Sequence, residues 1–253
     1  MILLMMPIAA MLLWACDDEK TYQLIDDMLR TCAECFHSRT VNVGMDEAMF
    51  MGLGKYLQKN GYENRTEILL RHVQKVAEIA GKYDQQLIMW GDMFFRIASG
   101  GEYYVDHLEI SDKVKAMVPD NVNLIYWDYY SVDAEHYTKQ IRYHAAIKEG
   151  IWFAGGLWCW SGFAPHNRFA LESMSLAMNS CMESGIENIF MTMWGDNGGE
   201  CSRFAMMPAL YYVAQRAKGI QDMQKGIVFA VDIGHEMLGT FGQIQNGPQL
   251  DDF

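Results

Sequence analysis

The 253-residue sequence predicts an α/β fold in which helices alternate with parallel strands. Three observations lead to this class. Five short apolar runs have the length of strands, and amphipathic segments with helical spacing lie between them. The strand runs are apolar almost throughout, as expected where both faces of a parallel sheet are buried. No stretch rich in Pro, Gly or Ser divides the chain, so we expect a single domain over most of its length.

The first half of the chain carries three predicted helices and two predicted strands. In order they are a helix over 21–36, a strand over 40–44, a helix over 64–80, a strand over 87–90 and a helix over 111–117. Apolar residues recur every three or four positions through the first helix. A capping box from Asn64 to Glu67 begins the second helix, and Ser111 caps the third.

The second half continues the same alternation. The predicted elements are a strand over 122–127, a helix over 133–148, a strand over 151–155, a helix over 168–183, a strand over 189–194 and a helix over 204–218. Gly150, Gly185 and Gly219 end the three helices. Such a repeat closes into a barrel or into an open sheet. The open sheet favours a glycine-rich phosphate loop, which Gly52 and Gly54 alone match weakly.

Composition excludes several classes of function. The net charge of -12 and pI near 4.9 disfavour binding to nucleic acid. Of the six cysteines, Cys32 and Cys35 form one CxxC within a predicted helix. We interpret them as buried thiols in a reducing, cytoplasmic setting. Residues 1–16 are apolar without a basic residue, which favours a buried strand or a truncated start over a secretion signal, lipid anchor or membrane span.

Carboxylates and aromatic rings gather where the predicted strands end. The candidate site residues there are Asp46, Glu47, Trp90, Asp92, Tyr126, Asp128, Tyr130, Trp158, Trp160, Trp194 and Asp196. Singly, each has an ordinary explanation, such as core packing, a helix cap or a solvated corner. In an α/β barrel, however, these ends converge on the face that holds active sites. Aromatic walls with carboxylates among them are typical of a sugar pocket.

The adjacent acids Asp46 and Glu47 fit acid catalysis. A carboxyl surrounded by tryptophans is poorly solvated, so its pKa rises and it can serve as a general acid while its neighbour stays ionised. A further carboxylate, Asp92 or Asp196, could be the nucleophile of an ordinary retaining glycosidase. Alternatively, the acetamido group of the substrate acts as nucleophile, which requires only an acid and an orienting carboxylate. The adjacent pair suits the second scheme better.

The ordered segments VGMDEA, WGDM, YWDYY, FAGGLWCWSGFAPHN and MWGDNGGE resemble the family 20 glycoside hydrolases, the β-N-acetylhexosaminidases. Within that family they resemble the bacterial exo-acting β-N-acetylglucosaminidase branch, from about residue 18 to about residue 220. The resemblance implies a TIM-type (β/α)8 barrel and substrate-assisted retaining hydrolysis of terminal β-linked GlcNAc or GalNAc. It also implies a glycan substrate.

The resemblance assigns a role to each candidate residue. Glu47 matches the general acid/base, and Asp46 matches the carboxylate that orients the acetamido group. Tyr126 matches the tyrosine that contacts the acetamido carbonyl, with Tyr130 in reserve. The expected walls and polar contacts of the sugar are Trp90, Asp92, Asp128, Trp158, Trp160, Trp194 and Asp196.

Two departures from the family pattern stand out. Asn42 occupies the position of a usual histidine, which alters the environment of the acid pair. The family's acid pair also closes the fourth barrel strand, so only strands 4–8 are recognisable and we expect an N-terminally truncated barrel. Its open edges, near Val41 and Met191, could pair with another copy in a homo-oligomer. We expect the partial barrel to cover 1–220 and a tail or helical region to cover 221–253.

One competing hypothesis is a non-catalytic amino-sugar-binding remnant of such an enzyme. Five of the seven histidines fall in no ligand spacing that indicates a metal site. They are His72, His107, His136, His144 and His166. We therefore expect neither a metal nor another cofactor, and neither a nucleic acid nor a membrane as partner.

Overall fold

The computed structural model describes residues 4–5, 18–99, 101–104, 112–196 and 199–219. The strands are β1 (Leu4–Met5), β2 (Thr40–Asn42), β3 (Gln86–Trp90), β4 (Val122–Trp127), β5 (Trp152–Gly156) and β6 (Ile189–Thr192). The helices are α1 (Glu19–Cys35), α2 (Lys55–Asn60), α3 (Arg65–Gly81), α4 (Asp92–Ser99), α5 (Asp112–Met117), α6 (Ala134–Ile147), α7 (Asn167–Glu183) and α8 (Met207–Ala217), with a 3-10 helix over Arg203–Met206.

The described residues fall into two compact units. Unit 1 runs as far as residue 127 and includes 140–152, and unit 2 comprises 128–139 and the residues from 153 onward. The predicted segment 221–253 lies outside the described residues, so the domain boundary at residue 220 stays a prediction.

Unit 1 holds strands β1 to β4, which pair in parallel and in chain order. Val41 of β2 pairs with Leu4 on one side and with Leu87 of β3 on the other. Trp90, the last residue of β3, pairs with Ile125 of β4. This register places the carboxyl ends of β2, β3 and β4 side by side.

Two helices of unit 1 pack against each other through apolar faces. Ile25 and Leu29 of α1 and Leu69 and Val76 of α3 are almost fully buried. Asn64 caps α3 as predicted, because its side-chain oxygen accepts hydrogen bonds from the backbone N–H groups at the start of the helix.

Unit 2 holds β5 from Phe153 onward and the whole of β6. These two strands are parallel, with Phe153 paired to Ile189 and Gly156 to Thr192. Helices α7 and α8 pack together. The core of this unit includes Phe153 and Met174, both without exposed surface.

The prediction of an incomplete (β/α) barrel is confirmed, because the five predicted strands are present in parallel pairings with helices between them. The strands predicted over 40–44 and 189–194 end earlier, at Asn42 and Thr192. The short helices α2 and α4 were not predicted. Leu4–Met5 forms a strand within the expected apolar segment, most of which lies outside the described residues, as does the predicted cap at Ser111.

The described helices are all too short or too polar to cross a lipid bilayer.

Candidate active site

The predicted acid pair lies on a strained turn that follows β2. The backbone is left-handed at Gly44, Met45 and Glu47, with φ of 73°, 72° and 52°. For residues other than glycine this conformation costs roughly 1–2 kcal/mol each, and such strain is concentrated at functional sites. The turn is anchored at Gly44, whose carbonyl accepts the Trp90 N–H at 3.0 Å and whose N–H donates to Asn42 Oδ1 at 2.9 Å. Asn42, the departure from the family pattern, therefore shapes the turn itself.

The two acids of the pair differ in burial. Asp46 is half-buried, and this burial raises the pKa of its carboxyl, as does the neighbouring charge of Glu47. Glu47 is exposed. Its Oε1 accepts a hydrogen bond from the Tyr103 hydroxyl at 2.6 Å, and its backbone N–H donates to Asp92 Oδ2 at 3.0 Å. The expectation that tryptophans bury the acid itself is wrong, because the turn leaves the Glu47 side chain open to solvent.

Burial acts instead on Asp92, the first residue of α4. Only 4% of this residue is exposed. Burial raises the pKa of the Asp92 carboxyl to about 7, and the charge of Asp46 adds to the effect. The Glu47 N–H, the Trp127 indole and the positive charge of Arg96 act in the opposite direction. Asp92 is therefore a buried third carboxyl that changes charge near neutral pH.

Tyr103 is a site residue that the sequence did not reveal. Its ring packs edge-on against Trp127, at 5.3 Å between centroids, and the Arg96 guanidinium lies 3.9 Å from the ring centroid. Burial and the contact with Glu47 raise the pKa of the Tyr103 hydroxyl to about 12. It therefore stays a hydrogen-bond donor at neutral pH. We refer to Asp46, Glu47, Asp92 and Tyr103 as the acid cluster.

Tyr126 has no exposed surface. Its ring lies 4.8 Å from that of His144, and both residues line a cavity of about 10 Å³ together with Asp92. That volume is close to what one water molecule needs and is too small for an acetamido group. The structure thus places Tyr126 in the core beside Asp92, and its predicted contact with the substrate stays a prediction.

Unit 2 holds a group of four rings, which we refer to as the aromatic cluster: Tyr129, Tyr130, Trp158 and Trp160. Trp158 and Trp160 stack at 4.8 Å between centroids. Tyr130 meets Trp158 edge-on at 5.3 Å, and Tyr129 meets Trp160 at 5.5 Å. The Trp158 indole N–H donates to the Tyr129 carbonyl at 2.6 Å. Tyr130 is 51% exposed, so the cluster presents aromatic surface to solvent.

The aromatic cluster depends on a glycine at the end of β5. A Cβ on Gly156 would lie 2.6 Å from the Tyr129 ring and 2.9 Å from the Trp160 ring. Both distances are below any normal carbon–carbon contact. Gly156 is therefore needed for the close approach of these rings.

Asp128 contacts the aromatic cluster through the backbone of Tyr130. It has no exposed surface. Its Oδ1 accepts the Tyr130 N–H at 3.0 Å, and its Oδ2 lies 2.7 Å from His136 Nε2. These contacts fix the chain at Tyr130. No sequence pattern indicates the contact of His136 with Asp128, and the predicted contact of Asp128 with a sugar stays a prediction.

The remaining predicted residues lie in different environments. Trp90 is almost fully buried in unit 1. In unit 2, Trp194 is half-buried and its carbonyl accepts a hydrogen bond from the Cys159 thiol at 3.3 Å, whereas Asp196 is exposed. Asn197, within the last quoted motif, lies outside the described residues.

Across the part of the chain that the structure describes, no group of three or more His, Cys, Asp or Glu side chains is arranged to hold a metal ion.

The fold is similar to that of solved glycoside hydrolases. A β-N-acetylhexosaminidase from Bacteroides fragilis matches over 93% of this chain and 47% of its own, with a TM-score of 0.53 and 16% identity. A GH20 exo β-N-acetylglucosaminidase from Vibrio harveyi, solved in complex with N-acetylglucosamine, matches over 88% and 35%, with a TM-score of 0.48 and 13% identity. The chain thus spans less than half the length of either. No protein-family model and no curated protein sequence matches it. At this identity, the likeness to the Bacteroides enzyme establishes the fold alone.

Proposed function

We propose that this chain is a glycoside hydrolase that removes terminal β-linked N-acetylhexosamine, GlcNAc or GalNAc, by substrate-assisted retaining hydrolysis. The observation that carries the proposal is the acid pair at the end of β2. Its exposed member, Glu47, is held at its backbone by Asp92 and at its carboxyl by Tyr103. A glutamate whose carboxyl is open to solvent, and whose backbone and side chain are both held by hydrogen bonds, fits a group that exchanges protons with a substrate.

In the proposed first step, Glu47 gives its proton to the glycosidic oxygen. The carbonyl oxygen of the 2-acetamido group attacks the anomeric carbon as the bond to the leaving group breaks, which forms an oxazolinium ion. In the second step Glu47 takes a proton from water, the water oxygen attacks the anomeric carbon and the oxazolinium ring opens. The Tyr103 hydroxyl remains protonated throughout and stabilises the carboxylate that exists between the two steps.

Asp46 is the proposed partner of the acetamido group. As a carboxylate it accepts the acetamido N–H and balances the positive charge of the oxazolinium ion. Because burial raises the pKa of Asp46, the ionised form appears at a higher pH than for an exposed aspartate. Activity is therefore expected to fall as Asp46 becomes protonated on the acidic side.

The proposed sugar-stacking surface of unit 2 is the aromatic cluster, in which Tyr130 is exposed and Trp158 is half-buried, while Trp160 is buried and backs Trp158 by stacking on it. The other predicted contacts are proposed on the resemblance alone. They are Trp90, Tyr126, Asp128, Trp194 and Asp196.

The test is release of nitrophenol from its β-N-acetylglucosaminide, with the matching β-glucoside as the substrate that lacks an acetamido group. We expect hydrolysis of the first and little of the second. Glu47→Gln should lower the rate at least about 10³-fold. Glu34→Gln, which alters an exposed glutamate of α1 paired with Arg30, is the matched control and should leave the rate unchanged.

Two outcomes would support other functions. Binding of N-acetylglucosamine by folded protein without hydrolysis would indicate a sugar-binding remnant. Equal hydrolysis of both substrates, with no inhibition by a thiazoline mimic of the intermediate, would indicate a protein nucleophile and contradict the substrate-assisted mechanism.

A further inference from the structure

The turn that carries the acid pair requires contacts that hold it. Met45 and Glu47 both adopt left-handed φ values, which residues with a side chain rarely adopt. Neither is a glycine, so the strain has not been removed by choice of residue. The native position of the Glu47 carboxyl therefore depends on the bonds that the neighbouring strand end provides.

Two hydrogen bonds connect this turn to the end of β3. Trp90 donates its N–H to the Gly44 carbonyl, and Glu47 donates its N–H to Asp92 Oδ2, both at 3.0 Å. The end of β3 is itself fixed, because the Gly91 N–H donates to the Ile125 carbonyl at 2.9 Å. The Asp92 carboxyl thus fastens a strained residue to a rigid strand end.

We propose that Asp92 is a positioning residue for the acid pair, which holds the left-handed conformation of Glu47 through the Glu47 backbone N–H. This role differs from the sugar contact and from the nucleophile that the sequence suggested. Asp92 is 4% exposed, and the cavity that it lines measures about 10 Å³, which leaves no room for a sugar beside it.

The charge of Asp92 adjusts the strength of this hold. Both forms of the carboxyl accept the Glu47 N–H, but the ionised form accepts it more strongly. The pKa of about 7 places the change within the working range of most enzymes. The titratable and charged groups that face Asp92 from the surrounding elements are Asp46, Arg96, Tyr103, Tyr104, Tyr126 and His144.

The experiment compares Asp92→Ala, which removes the acceptor, with Asp92→Asn, which keeps an oxygen in its place. Gln85→Ala is the matched control. Gln85 is equally buried, flanks the opposite end of β3 and donates its side-chain N–H to the Leu29 carbonyl at 3.0 Å. The first measurement is hydrogen exchange at the Glu47 amide, which needs no activity.

In Asp92→Ala, exchange at the Glu47 amide should accelerate about 100-fold, whereas Asp92→Asn should stay within about 10-fold of wild type. Gln85→Ala should leave it unchanged. Unaltered protection of this amide in folded Asp92→Ala would overturn the proposal. If that variant does not fold, wild type at pH 5 and pH 9 decides. Since the loss of overall stability above pH 7 affects all amides, protection of the Glu47 amide is divided by that of the Gly91 amide, which bonds to the Ile125 carbonyl. This ratio should rise with pH in wild type but not in Asp92→Asn, and a flat ratio in wild type would overturn the proposal.

The second measurement, steady-state kinetics, rests on the proposed function. Misplacement of the acid should lower kcat about 100-fold in Asp92→Ala with little change in KM, and Asp92→Asn should recover most of the loss. The limb of the wild-type kcat profile near pH 7 should be missing in Asp92→Asn. A raised KM with unchanged kcat would indicate a sugar contact instead and overturn the proposal. Loss of amide protection in a protein that hydrolyses neither substrate would support the Asp92 contact while the hydrolase proposal fails.

Discussion

The acid cluster of unit 1 and the aromatic cluster of unit 2 are built on different physical principles. Directional hydrogen bonds hold the acid cluster on a left-handed turn, with Glu47 bonded to Asp92 and Tyr103. The aromatic cluster is held by ring packing, in a space that the glycine at the end of β5 leaves open. The first should therefore respond to the loss of a single atom or charge, and the second to added volume.

The largest expected effect falls on the acid cluster. Asp46→Asn preserves the shape of the side chain but removes the charge that balances the oxazolinium ion. We expect kcat on the β-N-acetylglucosaminide to fall about 10²- to 10³-fold, as for other groups that stabilise a charged transition state. Asp120→Asn, which alters a fully exposed aspartate, is the control. A fall in kcat of less than about 3-fold would contradict the proposed role of Asp46 in stabilising the oxazolinium ion.

The pH dependence of stability tests the buried charge. Because the pKa of Asp92 is raised from 3.8 to about 7 in the folded protein, the folded state binds its proton more tightly than the unfolded chain. The resulting stability is full below pH 4 and is lost as pH rises through 7. Wild type should therefore lose up to about 4 kcal/mol of unfolding free energy, relative to Asp92→Asn, between pH 4 and pH 8.

Urea unfolding of both proteins across this range measures that shift. The same series on Asp120→Asn should run parallel to wild type. A difference in unfolding free energy between wild type and Asp92→Asn that stays constant from pH 4 to pH 8 would show that Asp92 does not change its charge in this range.

Added volume tests the aromatic cluster. Gly156→Ala places a methyl group against two rings that are fixed by packing, and we expect it to cost about 1–3 kcal/mol of stability. Gly155→Ala is the matched control, because its Cβ meets the flexible ends of Met174 and Met191. Met side chains adapt, so that cost should be below about 1 kcal/mol. Equal costs in urea unfolding would contradict the distinction between the two glycines.

Tyr103→Phe gives the smallest expected effect, because it removes one hydroxyl and keeps the ring on Trp127 and Arg96. Loss of the hydrogen bond to Glu47 should lower kcat about 10-fold and leave the melting temperature nearly unchanged. Tyr104→Phe, next in the chain, loses a longer bond to the Trp127 carbonyl and serves as control. Equal kcat for wild type and Tyr103→Phe would contradict the proposed stabilisation of the Glu47 carboxylate by Tyr103.

The strands and the acid pair could be predicted from the sequence because both leave local patterns. Strands in a parallel sheet are continuous apolar runs, and Asp46 and Glu47 follow one of them directly. Helix α4 was not predicted because it begins at Asp92, with one residue between it and β3, so that no loop sequence separates the two elements. The strand predicted over 40–44 ends at Asn42, because the backbone turns left-handed from Gly44 onward.

The contacts that complete the site could not be predicted because they join distant residues. Tyr103 lies 56 residues from Glu47, in a segment that ends no strand. Burial was expected around the acid itself, but backbone conformation exposes Glu47 and buries Asp92 instead. Sequence patterns report which residues share a strand end, whereas the direction of each side chain depends on the turn that carries it.

The most direct test of the central claim is the dependence of Glu47→Gln on the leaving group. If Glu47 protonates the glycosidic oxygen, the variant should keep close to the wild-type kcat/KM, which reports the first step, on a β-N-acetylglucosaminide of dinitrophenol, because this leaving group needs no proton. The variant should fail, by about 10³-fold or more, on an alkyl glycoside, which does need one. A loss of the same size on both substrates would contradict the assignment of Glu47 as the general acid.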